Sequence, residues 1–221
     1  MRGVMSKMSK RVTESMLSKI NKILQISDSY QAPEKIINTL KDEKKRREMF
    51  FKFLELFDYD LSYEWFFEYF QDEHADRKNK KQDFTPKTVS LLLTELLNDK
   101  SPKESYSIIS EPAAGTGSTI ISHWYKTMRN CRFIWNYSPD DYLYLLTELS
   151  DKTIPFLLFN TMIRGMNAVV IHGNSLTKET KDVYWIYNQS NNAMGFSDMY
   201  ICPHSPHVEK LFDIRFIHQN R

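Results

Sequence analysis

The sequence predicts an α/β protein in two parts, a helical segment to about residue 80 followed by a domain built around a parallel sheet. Two observations predict this. Up to about residue 80, apolar residues recur at spacings of three and four, and no glycine occurs between Gly3 and Gly115. Beyond residue 83, short runs rich in β-branched and aromatic residues alternate with helical stretches and glycine-bearing turns. Apolar spacing of three and four marks one face of a helix, and strand–helix alternation is the grammar of parallel sheets with crossover helices.

The helical part reads as a bundle of three to five helices over residues 1–80. Val12, Met16, Ile20, Ile23 and Leu24 form one apolar stripe. Pro33 fits the first turn of a second helix, in which Ile36, Ile37 and Leu40 repeat the pattern. The charged stretch Lys41 to Arg47 leads into an apolar one, Met49 to Phe57, and an aromatic block runs from Tyr63 to Phe70. The polar, mostly basic segment Asp76 to Gln82 is either a solvated hinge or a phosphate-contacting loop.

The second part, residues 81–221, opens on a helix over Thr85 to Leu97 with Pro86 in its first turn. Strands are predicted at Tyr106 to Ser110, Tyr142 to Leu146 and Ala168 to His172, with helices at Ser118 to Met128 and Lys152 to Gly165 between them. Val183 to Tyr187 reads as a further strand.

Composition narrows the function classes. No stretch approaches the roughly 18 uninterrupted apolar residues of a membrane span. The basic N-terminus, Met1 to Arg11, lacks the apolar run of a secretory signal. Two cysteines far apart, Cys131 and Cys202, give no disulfide framework, so a reducing cytoplasm is the expected compartment. A net charge of +2 neither demands nor excludes nucleic acid.

The informative feature is Glu111 to Ser118, EPAAGTGS, lying between a strand and a helix. Gly115 and Gly117 permit a sharp turn and close approach of a ligand. Glu111 would repel a phosphate, so a cationic or neutral ligand fits better than a pyrophosphate, and no P-loop lysine follows the glycines. Glu148 follows the second strand, where an acid meets ribose hydroxyls in nucleotide-type sites, and HGNS, His172 to Ser175, follows the third. Ligands bind at the carboxyl ends of strands in such sheets, where all three loops are expected to lie.

With DFTP at Asp83 to Pro86, the segment to Leu176 resembles adenine-N6 DNA methyltransferases, in particular the modification subunits of type I restriction systems. The resemblance implies a helical N-terminal domain followed by a truncated Rossmann-like, S-adenosylmethionine-dependent methyltransferase domain. It implies a cofactor pocket lined by Glu111, Ala113, Gly115, Gly117, Glu148 and Asn174, with Thr85 and Pro86 closing its methionine end. The family's glycine loop usually begins with Asp and has Cys fourth, where this chain has Glu111 and Ala114; its third loop usually carries Asp where this chain has Asn174. DNA is the implied partner, with a companion subunit as a second.

The family's catalytic motif, Asn-Pro-Pro followed by an aromatic residue after the fourth strand, is absent from this chain. Its asparagine and a proline carbonyl hold the amine of a flipped adenine. After Val183 to Tyr187 stands NQSN, where Asn188 either fills the asparagine position or belongs to a polar turn. Little chain follows for the later strands of a complete sheet, so the domain is expected to be incomplete. The function expected is that of an adenine-N6 DNA methyltransferase-type protein, with a catalytically inactive relative that binds DNA or a protein as the rival. Cys202, His204, His207 and His218 lack the paired spacing of a structural zinc site, and the prolines around them suggest an extended loop, so no metal is expected.

Overall fold

The computed structural model describes residues 16–66, 69 and 106–217. The chain divides into two compact units, Met1–Asp60 with Trp65–Asp83, and Leu61–Glu64 with Phe84–Arg221.

In the first unit, helices α1 (residues 16–24), α2 (Ala32–Leu40) and α3 (Glu43–Leu56) follow one another. Pro33 lies in the first turn of α2, where its missing N–H costs nothing. Asp42 caps α3 by accepting the Lys45 amide at 3.0 Å. The apolar stripes close on Ile20, Leu24, Ile36, Leu40, Phe50 and Phe53, all buried. Trp65 stacks on Phe57 with ring centroids 4.5 Å apart. Arg46, though charged, is buried and donates to the Leu40 carbonyl at 3.0 Å, which closes the end of α2.

The second unit is built on a mixed sheet. Strand β1 (Ser107–Glu111) leads through the glycine loop into α4 (Ser118–Asn130), then β2 (Tyr142–Glu148), α5 (Ile154–Ile163) and β3 (Ala168–Gly173). These three strands are parallel, in the order β1-β2-β3. Every residue of α5 is buried, as expected of a helix apolar on all sides. One sheet face carries Tyr144, Leu146 and Val170, all buried. The opposite face carries Val169, Ile171 and Val183, packed with Val208, Phe212 and Ile214.

The fourth strand departs from the parallel expectation. β4 (Glu179–Tyr187) runs antiparallel to β3, with Ala168 opposite Ile186 and His172 opposite Asp182. Residues 174–178 join the two strands, far fewer than the dozen or more that a parallel crossover requires. Asn174 Oδ1 accepts the Leu176 and Thr177 amides at 2.9 and 3.3 Å, and Lys178 takes a left-handed φ of 65°. That turn reverses the chain.

β5 (Asp198–Ile201) then pairs antiparallel with β4, and β6 (Arg215–Phe216) pairs parallel with it. The CPHSPH segment is not wholly extended. Ser205 accepts the Val208 amide and Pro206 opens the short helix α6 (Pro206–Phe212). Among the described residues, no helix is long and apolar enough to cross a membrane.

Candidate functional site

The glycine loop, Glu148 and Asn174 stand at the carboxyl ends of β1, β2 and β3, at one end of the parallel strands. The loop is shaped by its own backbone. The Ala114 amide donates to the Thr147 carbonyl at 2.9 Å, tying the turn to β2, and the Gly117 amide donates back to Ala114. Gly115 and Gly117 both take positive φ, 57° and 99°, where L side chains are strained. Their surroundings differ. A Cβ on Gly117 would sit 3.1 Å from Leu157 Cδ1, so this glycine lets the loop pack on α5. A Cβ on Gly115 would meet nothing within 4 Å, so this glycine borders open space.

Two carboxylates belong to the loops at these strand ends. Glu148 accepts the Gly115 amide at 2.9 Å on one oxygen and the Ser150 amide at 2.8 Å on the other. Each oxygen keeps a second lone pair for an incoming hydroxyl. Glu111 has one buried oxygen, Oε2, with no hydrogen-bond partner. Burial pushes its carboxyl up to about 7, against a hydrogen bond from Thr119 that pulls it down. A buried carboxyl oxygen without a partner is costly unless a ligand or water supplies one. An unsatisfied carboxylate and hydroxyl-accepting capacity suit a ligand with an ammonium group and a ribose.

A cavity of about 150 Å³ adjoins the same strand ends, on the face opposite α4. Pro112, Thr147, Asn174 and Lys178 line it. Asn174 thus has two places in the structure, as the brace of the β3–β4 turn and on the cavity wall. Ala113 is exposed at the crest of the loop. Thr85 and Pro86 lie outside the described residues.

Beneath the loop lies a support that sequence reading missed. Asn160, fully buried on α5, donates from Nδ2 to the Thr116 carbonyl and to Glu64 Oε1, each at 2.9 Å. Arg164, one helical turn on, donates to the Asn160 side chain at 2.9 Å and to the Leu61 and Tyr63 carbonyls at 3.1 and 2.7 Å. The segment Leu61–Glu64 is thereby sewn to the helix that carries the loop. The only sequence signal was two polar residues spaced i, i+4 in an otherwise apolar helix.

A second brace holds the chain after Glu148. Asp151 lies 3.0 Å from His172 Nε2 and receives a hydrogen bond from Lys181 on β4. Burial alone would raise the Asp151 carboxyl, but Lys181 and His172 hold it below the usual carboxylate range. Burial also depresses His172, against the pull of Asp151, which favours the neutral ring.

Asn188 does not join this site. Because β4 runs antiparallel, its end carries Asn188 to the start of β3, at the opposite end of the sheet from Gly115. There it is fully buried and donates from Nδ2 to the carbonyls of Gly165 and Asn192 at 3.1 and 2.9 Å. Its Oδ1 accepts the Ser190 hydroxyl at 2.8 Å. Asn188, expected either to fill the base-holding position or to belong to a polar turn, thus stands away from the glycine loop with its side chain engaged by protein groups.

A family model for N-6 DNA methylases matches residues 59–198, well over half of the chain. The chain belongs to that family. No curated protein and no solved structure matches it. The matched span includes the glycine loop, Glu148 and the β3–β4 hairpin, and it ends at the first residue of β5. Of the histidines near the C-terminus, His218 lies outside the described residues. His204 stacks on Phe216 with centroids 4.1 Å apart and lies 3.2 Å from Asp182. Among the described residues, no three His, Cys, Asp or Glu side chains cluster to hold a metal.

Proposed function

We propose that this chain binds S-adenosylmethionine at the carboxyl ends of β1, β2 and β3 and serves as the cofactor-holding part of an adenine-N6 DNA methyltransferase. The observation that carries the reading is Glu111 Oε2, buried without a partner beside a glycine loop whose Gly115 borders open space. An ammonium brought to that oxygen satisfies it and favours the ionised carboxylate.

In this reading Glu148 accepts the ribose hydroxyls on its remaining lone pairs while the Gly115 and Ser150 amides fix its orientation. Asn174, whose Oδ1 is occupied by its own turn, offers Nδ2 to the adenine. Ala113, Gly115 and Gly117 contribute backbone and clearance rather than side chains. Thr85 and Pro86 close the methionine end, as the resemblance implies. The cofactor supplies an electrophilic methyl group on sulfonium, and the residues named here hold and orient it. DNA is the substrate class, and a companion protein is the candidate to supply a base-holding group.

The position of Asn188 favours a second reading, in which the chain keeps the cofactor cradle but transfers no methyl group and acts by binding DNA or a protein. One experiment addresses both. The purified chain is titrated calorimetrically with S-adenosylmethionine, and methyl transfer to adenine-containing duplex DNA is then measured with and without a cognate companion. Micromolar binding abolished by Gly115→Val supports the cradle. No binding to the folded chain refutes it, and binding without transfer under any condition supports the second reading.

A further inference from the structure

At the end of the sheet away from the glycine loop, the segment between α4 and β2 displays a feature with no part in cofactor binding. Phe133 and Trp135 stack face to face, with ring centroids 4.8 Å apart and planes 7° from parallel. The Arg132 guanidinium carbon lies over the Phe133 ring, 5.4 Å from its centroid. Yet Phe133 is 44% exposed and Trp135 74% exposed. Aromatic rings that gain stability by burial instead present a stacked face to solvent.

The base of this display is rigid. A 3-10 turn over Ile134–Asn136 spaces the two rings, closed by the Tyr137 amide on the Ile134 carbonyl at 3.1 Å. Tyr137 is buried and stacks on Tyr142 of β2, centroids 5.4 Å apart. Asn191 Oδ1 then accepts from the Ser138 hydroxyl at 3.2 Å and the Asp140 amide at 3.0 Å. The polar segment after β4 therefore latches the strand-entry loop, and the rings stand on a fixed footing.

Arg132 places a cation at the rings themselves. Arg129 at the end of α4 and Arg132 are both exposed. Asp140 and Asp141 are exposed too, and Asp140 accepts from the Asn167 amide at 2.9 Å. Stacked aromatics beside arginines are how proteins hold unpaired bases, whose faces are open only in single strands.

We propose that Arg132, Phe133 and Trp135 form a base-stacking platform for single-stranded DNA, separate from the cofactor cradle. DNA rather than RNA is the occupant because the chain belongs to a family of DNA methylases. The platform does not depend on whether the chain binds S-adenosylmethionine.

The test is fluorescence anisotropy of a fluorescein-labelled twelve-nucleotide oligothymidylate titrated with the full chain. Stacking on one ring corresponds to about 5- to 150-fold in affinity, so Trp135→Leu is expected to weaken binding about tenfold or more. Trp135→Phe is expected to retain most of it, and both variants should melt with the wild type, because the side chain is exposed. Replacing Arg129 and Arg132 by alanine should flatten the dependence of log affinity on log salt by roughly 1.4, about 0.7 for each lost phosphate contact. The proposal is overturned if the wild-type chain does not bind the oligomer, or if Trp135→Leu binds it equally well. It is also overturned if duplex DNA or oligouridylate binds as tightly through Trp135. Loss of self-association in Trp135→Leu, with oligomer binding unchanged, would assign the rings to a protein contact instead.

Discussion

Glu111 and Asn188, at opposite ends of the sheet, are buried in opposite ways. At the end holding the glycine loop, Glu111 keeps a carboxyl oxygen without a partner and Gly115 borders open space. At the other end, Asn188 is equally polar and more deeply buried, yet both its amide hydrogens and its oxygen are engaged by protein groups. Buried polar groups are normally satisfied, so the unpaired Glu111 oxygen beside the glycine loop is open to a ligand or a water. A fully satisfied asparagine is part of the scaffold.

The largest effect expected from this contrast falls on the support under the loop. Arg164→Met would strand the Leu61 and Tyr63 carbonyls and release Asn160. Hydrogen bonds to charged groups contribute about 1.5–3 kcal/mol each, so a loss of about 3 kcal/mol or more is expected in denaturant unfolding. Affinity for S-adenosylmethionine should fall with it, because Asn160 holds the Thr116 carbonyl. Unchanged affinity would detach the loop from this network.

Asn188→Ala is next. It leaves the Gly165 and Asn192 carbonyls and the Ser190 hydroxyl short of partners, a loss of about 2 kcal/mol, or roughly 4–8 °C in melting temperature. Cofactor affinity should not move. A selective loss of binding in a variant of normal stability would break the comparison.

Glu111→Gln gives a smaller effect with a pH signature. The folded state holds its Glu111 proton up to about pH 7, whereas an ordinary glutamate releases it near 4.5. The stability this group contributes is therefore full below about 4.5 and is lost as pH rises through about 7. Without ligand, Glu111→Gln should match the wild type at pH 5 and exceed it by about 1–2 kcal/mol at pH 8. Wild-type cofactor affinity should rise through pH 7 while that of Glu111→Gln stays flat, which calorimetry across the pH range would show.

Asp151→Asn should be the mildest. Its contacts with His172 and Lys181 are partly exposed, so less than about 1 kcal/mol is expected from thermal melts.

Much of the fold could be read from sequence because each signal was local. Short β-branched and aromatic runs before Pro112, before Glu148 and before HGNS gave β1, β2 and β3, and Gly165, with a φ of 62°, ends the helix that precedes β3. The direction of β4 is not legible in the run Val183 to Tyr187, which carries no sign of its partner's orientation. The short connection at residues 174–178, too brief for a crossover, emerges only because β4 begins at Glu179, four residues before that run. The position of Asn188 follows from that direction. Helix α6 is absent from the sequence reading although Ser205 and Pro206 form an N-cap and first-turn pair, because the prolines of this segment suggest an extended loop. The i, i+4 spacing of Asn160 and Arg164 is legible, but their role is not, since their partners lie about a hundred residues away at Glu64, Leu61 and Tyr63.

The central claim is that the ligand end of the sheet is the glycine-loop end, and hydrogen–deuterium exchange with and without S-adenosylhomocysteine tests it most directly. Protection confined to residues 111–117 and 147–150, with no change at 188–192, is the predicted result. Protection centred on 188–192, with the glycine loop unaffected, would contradict it.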